Sequence, residues 1–201
     1  MEQEKKEMKE TKKAHHSRLR NGDYEYLRGK ILDIGCGDDK LECADSEVIG
    51  WDKQDGDAQY LKSIPDETYD CVYSSHCLEH MVDVPVAIKN WARVTKKSGY
   101  VYIVVPDWTA YEHRCWPSIG NDDHKASFSI IDVQNKPNHP FYTLKDFIKI
   151  GNDLGLKIID ARLVLDNYDF TRILDKYYDQ TVLQATAHNV FIYQKIKASV
   201  G

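Results

Sequence analysis

The chain has 201 residues, 42% hydrophobic and 29% charged, the balance of one globular α/β domain with a real core. Its formal net charge of -5 repels phosphate backbones, so no nucleic acid is expected as a partner. No apolar run approaches the roughly 20 residues that cross a bilayer, so no membrane association is expected either.

Residues 1–20 form a charged arm in which Glu and Lys interleave, as in Glu2, Glu4, Lys5, Lys6, Glu7, Lys9 and Glu10. Opposite charges three and four apart favour a solvated helix or a frayed tail, and a helix folded over the active site is the sharper alternative. The arm has no apolar segment of the kind a secretory signal needs. Residues 21–201 are expected to form a single domain.

Within it, 30–34 reads as a strand running into a glycine turn, 48–51 as a second strand and 69–74 as a third. Residues 85–97 carry Val86, Ile88, Trp91 and Val94 at mixed spacings of two and three, compatible with an amphipathic helix, with Ser98-Gly99 as the stop. A buried strand follows at 100–105 and ends at Pro106. Residues 107–141 lack periodicity and are rich in Trp, His, Asp, Asn and Pro, which marks a long functional loop. A helix is predicted over 143–154, with Thr143 as N-cap and Gly155 past its end. Two last strands are expected at 157–165 and 187–193. Alternating strands and helices imply a parallel sheet whose ligand crevice lies at the strands' carboxyl ends.

Cys36, Cys43, Cys71, Cys77 and Cys115 include no C-x-x-C pair, and an odd count argues against a disulfide framework. They read as reduced thiols of a cytoplasmic protein. The oligomeric state is not indicated.

The strongest chemical signal is Asp33-Ile34-Gly35-Cys36-Gly37, directly after the first strand. Two glycines let the backbone bend sharply and approach a ligand with no Cβ in the way. About 15 positions on, Asp52 ends the second strand, where a carboxylate can accept both hydroxyls of a ribose. A dinucleotide fingerprint would place a third glycine at Lys40. Its absence favours S-adenosylmethionine over NAD and leaves an NAD-dependent oxidoreductase as the rival reading. A non-catalytic module that kept the cofactor site is the second rival.

The run Ile31 to Gly37 resembles the glycine motif of class I S-adenosylmethionine-dependent methyltransferases. The resemblance extends through Gly50-Trp51-Asp52, Gly56-Asp57-Ala58, residues 69–80 and Arg93-Val94-Thr95-Lys96-Lys97-Ser98-Gly99, in the family's order. It implies a Rossmann-like, mostly parallel seven-stranded sheet with helices on both faces and an antiparallel last strand. It also implies that Asp33, Gly35 and Gly37 contact the amino acid end of the cofactor, Asp52 the ribose, and Asp57 and Ala58 the adenine. Ser75 and His76 would line the methionine or sulfonium region.

His76-Cys77-Leu78-Glu79-His80 also fits the H-x-x-E-H pattern of some zinc peptidases. The resemblance explains this stretch as the turn after a strand, no third ligand stands out downstream, and no metal is expected. The acceptor is expected to be a small polar molecule, a sugar or a phosphorylated metabolite, chosen by residues 107–141. Within that loop His124 is the candidate base, with His76 as a second candidate catalytic group. The run 121–125 with Phe128 resembles a segment of methyltransferases of surface-glycan biosynthesis.

Overall fold

The computed structural model describes residues 10–133, 136–173, 175 and 177–196. Two short helices, α1 (Glu10–Lys13) and α2 (His15–Asn21), precede a sheet built from β1 (Gly29–Ile34), β2 (Ser46–Trp51), β3 (Tyr69–Ser75) and β4 (Thr95–Pro106). α3 (Val84–Val94) lies between β3 and β4. After β4 come β5 (Ser127–Ser129), β6 (Phe141–Thr143), α4 (Leu144–Leu154), β7 (Leu156–Val164) and β8 (His188–Lys195).

The main sheet runs β2-β1-β3-β4-β8-β7. Its first four strands are parallel, and β8 runs antiparallel between β4 and β7. Apolar runs such as Ile31-Leu32 and Val101 to Val105 are buried because these central strands are covered on both faces. One face packs Leu32, Ile34, Val72, Val101 and Ile103 against Ile88 and Trp91 of α3 and Phe147 of α4. The other packs Ile31, Tyr73, Tyr102 and Ile192 against Leu27 and Leu41. No helix described is long and apolar enough to cross a membrane.

The expected seven strands are six in this sheet, and β5 and β6 form a separate parallel pair. Residues 52–68, between β2 and β3, fold as turns instead of an edge strand. Several carbonyls between Ala58 and Ile64 are taken by side chains of α3. Trp91 Nε1 donates to Ala58 O, Asn90 Nδ2 to Gln59 O, and Arg93 to Leu61 O and Ile64 O. These bonds turn the carbonyls toward α3 and away from the edge of β2.

α3 ends at Val94, before the predicted stop, because Thr95 already pairs with Tyr69. The Ser98-Gly99 pair instead belongs to a bulge, with Asp70 the single β3 residue between the Tyr69–Thr95 and Cys71–Tyr100 pairs. α4 has the predicted ends: Thr143 N donates to Asp146 Oδ2, and Gly155 closes the helix at φ +67°.

Residues 1–9 of the arm lie outside the described residues. From Glu10 onward the arm is packed. The buried Arg18 donates to the Tyr73 hydroxyl, Lys13 Nζ to Thr181 O, and a Glu10 carboxylate oxygen lies 3.7 Å from His76 Nε2.

Candidate active site

The chain passes from β1 to its neighbour β2 on one side and then to β3 on the other. This is a topological switch point, and the crevice outside its carboxyl ends is where open α/β sheets bind ligands. A cavity of about 880 Å³ opens there, within the size range of small-molecule sites. Gly35, Asp52, Asp57, Ala58 and His76 line it, and so do Lys53, Cys77, His80, Met81, Asn121 and Asp123.

Gly35 and Gly37 take φ of +74° and +52°, a region that glycine enters without steric cost. Gly35 N donates to Trp51 O at 2.8 Å, tying the turn to the end of β2. Gly37 does not line the cavity; its N–H donates to Asp52 Oδ2 at 2.7 Å. Asp52 Oδ1 accepts from Lys53 N, so the carboxylate is fixed at the cavity wall. None of residues 35–45 is helical. The glycine turn therefore leads into no helix N-terminus, the anion site that a dinucleotide pyrophosphate uses. Together with Lys40 in place of the third glycine, this speaks against the NAD reading.

Asp33 lies behind the turn, 1% exposed, with Oδ2 accepting from Leu41 N at 2.6 Å. It is not part of the cavity lining; it anchors the 35–45 connection. Burial pushes its carboxyl up to about 7, against the opposing pull of the Leu41 N–H. The folded state then holds a proton that the unfolded chain has released between the ordinary value of 3.8 and about 7. Stability should fall as pH rises through that window. In thermal unfolding from acid to neutral pH, Asp33→Asn should flatten this dependence, and an unchanged slope would contradict it.

Asp57 lines the cavity and also holds its own turn, Oδ1 accepting from Gln59 N at 2.8 Å. Ala58 sits beside it, its carbonyl accepting from the Trp91 indole N–H at 2.9 Å. Gly56 packs so close to Trp51 that an added Cβ would stand 3.1 Å from the ring.

The opposite wall begins at His76, a non-glycine residue at φ +52° whose N–H donates to Val104 O. Its ring stands against Tyr111 and His188. Burial, reinforced by His188 and Lys13, holds its basicity well below the usual histidine range. Ser75 is buried beneath and does not line the cavity. Residues 78–80 form a single 3-10 turn rather than an α-helix, so the H-x-x-E-H pattern does not place its histidines as successive turns of one helix face.

The loop is stitched to this turn, since Glu79 O accepts from Lys125 N and Ala126 N. That brings His124 to His80, ring centroids 5.0 Å apart, although His124 is not part of the cavity lining. His124 Nδ1 donates to Glu112 Oε1 at 2.6 Å. Burial works to lower its basicity, but the Glu112 bond and the charges of Glu79 and Glu112 raise it above the usual value. His80 Nδ1 faces Asp123 Oδ2 at 3.1 Å.

Five of the expected site residues thus share one cavity, while Asp33, Gly37, Ser75 and His124 support it from behind. Lys53, Met81 and the Glu112 partner of His124 had no spacing signal, because each reaches the site through a turn or loop. The bare-backbone bend and the fixed carboxylate suit a nucleoside ribose, and the cavity extends past it to a polar wall. The residues present fit S-adenosylmethionine.

A family model described as a methyltransferase domain matches residues 5–161. No curated protein matches. Among solved structures, a SAM-dependent methyltransferase from Archaeoglobus fulgidus is 20% identical, with a TM-score of 0.55, and the match covers 96% of this chain and 97% of that one. The YcgJ protein of Bacillus subtilis is 13% identical, TM-score 0.55, covering 92% and 100%. A SAM-dependent methyltransferase from Methanosarcina mazei is 16% identical, TM-score 0.51, covering 88% and 97%. These likenesses carry the fold, and the family match carries the assignment: the chain belongs to the methyltransferase domain family, with S-adenosylmethionine as its methyl donor.

Proposed function

We propose that this methyltransferase acts on an oxygen or nitrogen atom of a small polar acceptor, and that residues 107–141 select it. The observation that carries the reading is the Asp52 carboxylate, fixed by Gly37 N–H at the head of a cavity whose far wall is polar. Asp52 holds the ribose hydroxyls, Asp57 and Ala58 flank the adenine, and Gly35 gives the backbone room to approach. Asp33, Gly37 and Ser75 hold these groups in place from beneath.

When bound, S-adenosylmethionine supplies an electrophilic methyl carbon on a good leaving group. The protein mainly aligns the acceptor and excludes water. Asn121 and Asp123, brought to the wall by the loop, offer hydrogen bonds to acceptor hydroxyls. Between a sugar and a phosphorylated metabolite, a wall bearing Asp123 beside His80 favours the sugar, because a carboxylate accepts from hydroxyls and repels phosphate. The likeness of 121–125 to surface-glycan methyltransferases points the same way. His124, oriented by Glu112 directly behind the His80 wall, takes the acceptor's proton once His80 yields its place to the acceptor, and His76 shapes the sulfonium end as a weakly basic ring. The five cysteines, all unpaired, suit the reducing cytoplasm.

The test is incubation with S-adenosylmethionine and a panel of sugars, nucleotide sugars and sugar phosphates, with S-adenosylhomocysteine detected by mass spectrometry. Turnover should appear with a sugar, and His124→Ala should lower it by about a hundredfold while S-adenosylhomocysteine binding persists. Turnover confined to carbon or sulfur acceptors would refute the reading.

A further inference from the structure

One ring nitrogen of His80, one of His124 and a carboxylate oxygen of Glu79 lie within 4.8 Å of one another. We propose that these three side chains form a binding site for a divalent transition-metal ion at the acceptor end of the cavity.

Each histidine already has the partner that a ligating imidazole requires. His80 Nδ1 is held by Asp123, and His124 Nδ1 by Glu112. A carboxylate only accepts, so each Nδ1 donates its proton and Nε2 of the neutral ring is the nitrogen that offers a lone pair to a metal. Carboxylate-backed histidines of this kind are the usual outer support of metal ligands.

Glu79 supplies the independent observation. It is 1% exposed, and its Oε2 is buried with no hydrogen-bond partner. Its nearest cationic candidate is His76, whose Nδ1 stands 3.7 Å from Oε1 and whose buried ring resists protonation. A buried carboxylate oxygen without a partner is costly, and a bound cation satisfies it. Glu112 and Asp123 back the two histidines, and Lys125 is engaged by Asp123, so the surroundings supply further carboxylate oxygens for a dication.

Closing the cluster to metal–nitrogen distances of about 2.0–2.1 Å needs inward movements of under about 1 Å for each ligand atom. Two imidazoles and one carboxylate suit zinc, manganese, cobalt or iron(II) better than magnesium. A second cluster, Glu10 with His76 and His188, meets the same distance criterion. Lys13 acts electrostatically on both of its histidines and Arg18 on His188, which disfavours a cation there.

Because His80 and Asp123 line the cavity, the ion's open positions would face the acceptor and make a bound hydroxyl more acidic. With the ion bound, His124 Nε2 would be a ligand and the acidified hydroxyl would lose its proton to solvent, so His124 is the base only in the metal-free chain. This consequence rests on the proposed reaction; the binding of the ion does not.

The test uses the full chain, stripped with EDTA and titrated by calorimetry with zinc, manganese and cobalt(II) chlorides, the cobalt form also being followed by its visible absorption. Saturable binding of one ion per chain is expected. His80→Ala and His124→Ala should each weaken it at least tenfold, and Glu112→Gln by about tenfold or more. Undiminished S-adenosylhomocysteine binding shows that these variants are folded. No saturable binding of any of the three ions to the wild type would overturn the site, and so would binding that survives the double variant H80A/H124A. Metal binding without methyl transfer would refute the proposed reaction alone.

Discussion

Replacing Asp52 with alanine should weaken S-adenosylhomocysteine binding by about ten- to a hundredfold, read by calorimetry. The carboxylate has two tasks. It accepts from Gly37 N–H at 2.7 Å, and it lines the cavity, where we propose that it accepts from the ribose hydroxyls. Each polar group left unpaired costs about 1–3 kcal/mol. At 1.4 kcal/mol per tenfold, one to two such losses account for the expected range. Asp52→Asn keeps one acceptor oxygen and should lose less than Asp52→Ala. Equal losses in the two variants would mean that hydrogen-bond acceptance at Asp52 is not what matters.

Gly35→Ala should be the most damaging single substitution in the site. The new Cβ would stand 2.5 Å from Cys77 Cβ and 2.7 Å from its sulfur. Cys77 is buried at the foot of the cavity and cannot rotate its own Cβ away. The backbone also sits at φ +74°, which adds about 1–3 kcal/mol of strain for a non-glycine residue. A melting temperature lower by about 5–10 °C and loss of cofactor binding are expected. Gly37→Ala makes a sharp comparison. Its Cβ would meet nothing nearer than Asp52 Oδ2 at 3.8 Å, so only the backbone strain remains and the effect should be smaller. Adding Cys77→Gly to Gly35→Ala removes the clash and should restore part of the lost stability. If the double variant melts no higher than Gly35→Ala alone, contact with Cys77 is not the cause.

Elements whose signals are local were legible in the sequence. The glycine bend, the strand leading into it and both ends of α4 follow from φ freedom, apolar runs and capping. Elements decided by distant partners were not. The missing seventh strand depends on Trp91, Asn90 and Arg93 capturing the carbonyls of residues 58–64, and nothing in that stretch announces it. The early end of α3 depends on Thr95 finding Tyr69 across the sheet. In the site, Asp52 could be placed because it directly follows β2, and Asp57 through the family resemblance. Asp33 carries the family's motif, yet its carboxylate turns inward to Leu41. The meeting of His80 with His124 requires the loop to dock on Glu79 O, a contact across 46 residues that has no periodicity.

The most direct test of the whole account is titration of the purified chain with S-adenosylhomocysteine, with NADH as the comparison ligand. Saturable binding of one S-adenosylhomocysteine per chain, sharply reduced in Asp52→Ala, and no binding of NADH is the result predicted. A chain that binds NADH, or that shows neither heat nor a shift in melting temperature with S-adenosylhomocysteine, would contradict it.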